Sequence, residues 1–186
     1  MIQFNLPETT LTQTPNIHPS TFIAPGVQLM GDVEVKEDAS VWYNSVVRGD
    51  INRISIGERS NIQDGCILHV ENTLPCIIEN DVTVGHHVNL HACHIEECCL
   101  IGIGAIVLSG AHIGRGSIIG AGAVIKEHAI IPPFSMVVGV PGTIIKQTPE
   151  STIHTQQQWA KKYVLPWRKN AKVSLRAWRV WDMIRN

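Results

Sequence analysis

Three histidines, His69, His86 and His91, are the residues of this chain best suited to chemistry. Imidazole nitrogens hold transition metals, and three of them leave a four-coordinate ion one open position. Their setting is the reason to take them together. Aliphatic residues recur at every sixth position in four blocks: Ile17, Ile23, Leu29, Val35, Val41, Val47; then Ile56, Ile62, Leu68; then Ile78, Val84, Leu90; and last Ile95, Ile101, Val107, Ile113, Ile119, Ile125, Ile131, Val137. The slips of phase between blocks fall in or beside the segments that carry the three histidines.

Self-similarity at a fixed period marks a solenoid whose units must stack, since none buries its apolar face alone. Glycine follows many of the aliphatics, as at Gly57, Gly102, Gly114 and Gly120, and suits a corner that needs positive φ or close backbone approach. The period predicts a parallel β-helix. The isoleucine-or-valine then glycine pattern also resembles the left-handed β-helix family, in which three hexapeptides make a triangular coil of about 18 residues. The left hand and the triangular section are implied by that resemblance, because ordinary crossovers are right-handed.

With three repeats to a coil, Val47, Leu68 and Leu90 share one column, and the residues after them are Arg48, His69 and His91. Adjacent coils lie about 4.8 Å apart. His69 and His91 are therefore expected to stack with parallel side chains, close enough to share an ion at about 2.0 to 2.1 Å. His86 belongs to another column, two residues after Val84, as Asp64 is two after Ile62. A corner separates His86 from His91, so one chain does not bring all three together, whereas a neighbouring copy does. Cyclic closure of triangular prisms makes a homotrimer with three shared sites the natural assembly. Taken singly, His18, His87, His94, His112, His128 and His154 read as surface or hydrogen-bonded residues.

The segments Val47-Arg48-Gly49-Asp50, Asn61-Ile62-Gln63-Asp64, His69, Val82 to His86 and His91-Ala92-Cys93 resemble the gamma-class carbonic anhydrases and their hexapeptide-repeat relatives. The resemblance covers residues 17–146, including the closing Gly139-Val140-Pro141-Gly142. It implies that His69 and His91 of one subunit and His86 of the next bind Zn2+, with Fe2+ or Co2+ as substitutes. It also implies reversible hydration of carbon dioxide to bicarbonate by water activated on that metal. By position, Gln63 matches a residue that orients the activated water. Arg48, Asp50 and Asp64 match polar groups bracing the interface, and Asn61 matches a residue on the substrate side. The chain departs from the family in the short Val70 to Ile77 segment, where only Glu71 is acidic, and in Ala92, where glycine is usual. Tyr163 is the one late tyrosine, in a context unlike that of the tyrosines lining some family sites. Two other readings are a coenzyme A-dependent acyltransferase, in which a single histidine is the base, and a noncatalytic metal-bound trimeric scaffold.

Composition sets the remaining bounds. No stretch reaches the roughly 18 apolar residues of a membrane span, and nothing at the start reads as a targeting segment. No membrane or nucleic-acid partner is expected, and the location expected is cytoplasmic. Cys66, Cys76, Cys93, Cys98 and Cys99 make no CxxC pattern and read as packing residues in a reducing compartment. Net charge is −1, but residues 1–150 hold 7 Lys/Arg against 15 Asp/Glu, and residues 151–186 hold 8 against 1. The expected organisation is a cap over 1–16, the β-helix over 17–146 and amphipathic helices over 147–186. Leu165-Pro166 divides the last region, and Trp178, Trp181 and Ile184 fall at helical spacing in its second half.

Overall fold

The computed structural model describes residues 9, 10 and 12–164, which form a parallel β-solenoid with one helix behind it. Every aliphatic marker of the repeat pairs with another marker one coil away. On the first face Val47, Leu68, Leu90, Val107 and Ile125 are in register. On the second, Val35, Ile56, Ile78, Ile95, Ile113 and Ile131 align. The third aligns Val41, Ile62, Val84, Ile101, Ile119 and Val137. These side chains point inward, and nearly all are completely buried. Each such burial is worth about 1.5 to 3 kcal/mol, so the repeated column of β-branched residues is both the core and the device that sets register.

The first two faces form one 11-stranded sheet, because the strands Gln28–Val35 and Val46–Ile56 continue round the corner between them. The third face is an 8-stranded sheet closed by Thr143–Gln147, which runs antiparallel to Ser135–Val138. Where the hexad slips, the corner between the first two faces changes form. Val46–Ile56 bulges there, the next coil makes a loop between Ile67–His69 and Cys76–Ile78, and the one after turns tightly at Ala92 with φ 46°. All three excursions lie at the histidine-bearing edge.

The glycines after the aliphatics serve close approach rather than backbone freedom. A Cβ on Gly102 would sit 2.5 Å from the Ala121 nitrogen, and one on Gly57 2.4 Å from the Glu79 carbonyl carbon. Positive φ falls two residues later, at Gly104 with φ 67° and at Arg59 with φ 58°. That corner residue need not be glycine: Asn44, Asp81 and His87 also adopt it.

A helix over residues 152–164 turns Gln156, Ala160 and Val164 inward. It passes from Ile153, beside Gly116, to Tyr163, whose ring meets Trp42 edge-on at 5.7 Å. The packing expected of the tail on the solenoid is thus seen for this helix, whereas the second tail piece with Trp178, Trp181 and Ile184 lies outside the described residues. All five cysteines are free and buried, in keeping with packing; burial pushes the Cys66 and Cys99 thiols up to about 12.

The two glycine roles separate by mutation. Gly102→Ala should cost about 1 to 3 kcal/mol, since the backbone it meets has nowhere to go. Gly104→Asn, at a corner with open space beside it, should cost about 1 kcal/mol or less. Equal shifts in thermal unfolding midpoint would contradict this division.

Candidate metal centre

His69 and His91 stand directly opposite each other on adjacent strands, Ile67–His69 and Asn89–His91. Their ring centroids are 5.1 Å apart, and His69 Nδ1 lies 3.1 Å from His91 Nε2. Arg48 precedes them on the column, opposite His69. The outer nitrogen of each ring is held in turn. Asp50 Oδ1 is 3.0 Å from His69 Nε2, and Ser109 Oγ is 2.8 Å from His91 Nδ1.

These contacts specify where the protons sit. The Asp50 carboxylate only accepts, so His69 Nε2–H donates to it and His69 Nδ1 is bare. His91 Nε2–H then donates to that bare nitrogen, and the Ser109 hydroxyl donates to His91 Nδ1. Burial holds His69 below the ordinary imidazole range, against the bond to Asp50 and with the help of the Arg48 and His91 charges. Burial alone would raise Asp50, but hydrogen bonds from His69 and Arg48 carry it below the usual carboxylate value. His69 is thus favoured as the neutral imidazole, backed by an ionised carboxylate, the form that binds a metal.

The donor set fits a metal ion. Two ligands with bonds of about 2.0 to 2.1 Å at a tetrahedral centre are separated by about 3.3 Å, close to the 3.1 Å found between the facing nitrogens. Binding would require His91 to move its proton from Nε2 to Nδ1, where the Ser109 oxygen can accept it. Both rings thus have the outer partner that orients metal-bound histidines. Among the described residues, no group of three or more His, Cys, Asp or Glu within one chain is arranged to hold a metal.

His86 lies across the corner on its own column. Asp64 Oδ2 is 2.7 Å from His86 Nδ1, and both side chains are about two-fifths exposed. That contact favours the proton on Nδ1 and leaves Nε2 turned away from the carboxylate. Arg48 pairs within the chain with Asp50. Asn61 and Gln63 are buried on the third face. Gln63 Nε2 donates to Asn61 Oδ1 at 3.2 Å, and Asn61 Nδ2 donates to Thr83 Oγ1 at 3.0 Å. Neither makes a hydrogen bond to His69 or His91 in the single chain.

Three supporting residues were not singled out from sequence. Ser109 is one coil beyond His91, an offset of 18, and coil arithmetic carried one turn further finds it. Asn52 donates from Nδ2 to the carbonyls of Glu71 and Asn72 at 3.0 and 3.2 Å, tying the loop after His69 to the coil before. Thr83 orients Asn61. Tyr163, without an expected role, has its phenol raised by burial and by the nearby Asp64 charge.

Comparison with known proteins bears on the family and the fold. The family model described as bacterial transferase hexapeptide (six repeats) matches residues 92–127. A Methanocaldococcus jannaschii protein named probable carbonic anhydrase is 46% identical over 142 residues, 76% of this chain and 89% of its own. The chain belongs to the gamma-class carbonic anhydrase family of hexapeptide-repeat proteins. Mitochondrial gamma carbonic anhydrase 2 of Arabidopsis thaliana is 34% identical over 82% of this chain, which spans 57% of that relative. Among solved structures, a Bacillus cereus protein named as a candidate acetyltransferase superposes with a TM-score of 0.81 at 41% identity, covering 88% of this chain and 93% of its own. The gamma-class fold is thus shared with proteins named for other chemistry, and the histidine couple is what separates the readings.

The proton assignment is open to direct measurement. In metal-free protein at neutral pH, long-range 1H–15N spectra should show His69 neutral with its proton on Nε2, and a proton on His91 Nε2. Asp50→Ala should leave His69 with mixed tautomers while His91 keeps its own. A mixed His69 already present in the parent protein would contradict the donor chain drawn above.

Proposed function

We propose that this chain catalyses the reversible hydration of carbon dioxide to bicarbonate as a homotrimer, at sites built from His69 and His91 of one subunit and His86 of the next. The observation that carries the reading is the facing nitrogen pair of His69 and His91, each ring tethered from behind. Zn2+ suits this donor set, with Fe2+ or Co2+ as alternatives. When bound, such an ion supplies Lewis-acid activation of water near neutral pH.

The chain's own residues do the rest. Asp50 keeps the His69 Nε2 proton in place, Ser109 fixes the His91 ring, and Asp64 fixes His86. Asn61 and Gln63 form a buried polar pair tied by hydrogen bonds to each other and to Thr83, suited to orienting the water and the entering substrate. Glu71, 4.0 Å from His91 Nδ1 and about two-fifths exposed, stands at the rim, where it can pass a proton to solvent.

Surface character supports the assembly. The column that carries Asp64 and His86 also carries Tyr43 and Ile103, 42% and 56% exposed, and Ile67 on the adjoining face is 50% exposed. Large apolar side chains around an exposed carboxylate–imidazole pair are what an interface between copies requires. The Bacillus cereus likeness favours acyl transfer as a second reading, but two facing imidazoles serve no purpose there.

Two experiments test the proposal. Purified, dialysed protein should hold about one divalent metal per chain and hydrate carbon dioxide in stopped flow. His86→Ala should lose both, and full metal content in that variant would remove His86 from the ligand set. The second concerns Arg48 and Asp64, each one coil before a ligand on columns that would face across the interface. In the single chain they are held by Asp50 and His86, yet both stay about two-fifths exposed. Arg48→Ala and Asp64→Ala should each weaken the trimer, and the double variant should lose less than their sum. Additive losses would mean that the two columns do not meet.

A further inference from the structure

The solenoid carries a second stacked imidazole pair that the proposed centre does not use. His94 and His112 are opposite each other on the second face, on the strands His94–Ile95 and His112–Ile113. Their ring centroids are 4.7 Å apart and their planes differ by 35°. Each has its own carboxylate: His94 Nε2 lies 2.8 Å from Glu79 Oε1, and His112 Nε2 lies 2.7 Å from Glu96 Oε1. The carboxylates are anchored as well. Glu79 Oε2 accepts from the Glu97 backbone nitrogen at 3.1 Å, and Glu96 Oε2 from that of Arg115 at 2.7 Å.

The fold does not need histidine at these places. The same column holds Ile77 before His94 and Ile130 after His112, so isoleucine satisfies an identical backbone environment. What the histidines add is chemical. Where each Nε2–H is given to its carboxylate, the Nδ1 of that ring keeps a lone pair. A carboxylate behind each ring raises the basicity of the far nitrogen, as it does in metal-bound histidines. The side chains of His94 and His112 are 40% and 37% exposed, so the stacked rings have room to turn toward one ion.

We infer that His94 and His112 form a second site for a borderline divalent transition metal such as Zn2+, distinct from the shared centre and contained within one subunit. It supplies two protein ligands and leaves the remaining positions to water. Such a site is weaker than a three-imidazole centre and is lost on dialysis, with a dissociation constant on the order of micromolar.

The test is calorimetric titration of the metal-free, full-length protein with Zn2+. The parent should show two events per chain, one tight and one near micromolar. His94→Ile/His112→Ile, which installs the residue the column already carries on either side, should lose the weak event alone. His69→Ala/His91→Ala should lose the tight event alone, and His112→Ile by itself should weaken the second event at least about tenfold. A parent without the weak event, or a weak event that survives His94→Ile/His112→Ile, would overturn the inference. A parent protein that shows the weak event alone, lost in His94→Ile/His112→Ile, would sink the shared centre and leave this site standing.

Discussion

Register between parallel coils is the constraint on which everything else depends. Once the inward aliphatics lock in phase, a residue at a given offset from its marker lies directly over its counterpart in the next coil, about 4.8 Å away. His69 over His91, Arg48 before them and Asp64 before His86 all follow from that repetition. A one-residue slip would turn the whole aliphatic column outward, so the hydrophobic effect that stabilises the fold also fixes the positions of the polar groups on its surface. Few architectures tie packing and site geometry so closely.

Stacking alone would give two histidines with undetermined protonation. The excursions at the slipped corner supply what determines it. The bulge in Val46–Ile56 carries Asp50 to His69, the loop held by Asn52 carries Glu71 toward His91, and the tight turn at Ala92 keeps the strand after His91 short. Two of these departures from the repeat are thus the places from which Asp50 and Glu71 reach the imidazole couple. The regular coils hold the frame, and the irregular ones set the chemistry.

Much of this was legible in the sequence because period six leaves each marker only one place to go. The columns of His69, His91, Asp64 and His86 could be read directly, and so could a tail element packed on the solenoid. Other features depended on contacts that periodicity does not encode. The glycines after Ile56 and Ile101 could be read as corner residues, but which of two roles they serve depends on the neighbouring coil, and close approach proved to be the reason. Arg48 and Asp64 were expected to face each other across an interface. The single chain shows each with a partner of its own, which their exposure leaves free to share. Ser109 escaped notice because its offset from His91 is a full coil of 18 residues, and a serine without neighbours of chemical interest draws no attention until its hydroxyl is seen beside Nδ1. His94 and His112 read as surface histidines one at a time, and only the carboxylates one coil behind them give the pair another meaning.

The central claim is that the couple formed by His69 and His91 completes its metal site with a histidine from a neighbouring copy. Anomalous scattering from crystals of the metal-loaded protein, recorded at the metal's absorption edge, tests it most directly. The account predicts one strong peak per chain at a subunit interface, about 2.0 to 2.1 Å from His69 Nδ1 and His91 Nε2 of one subunit and from His86 of the partner subunit. A peak bounded by residues of a single chain, or no peak between His69 and His91 at full metal loading, would contradict it.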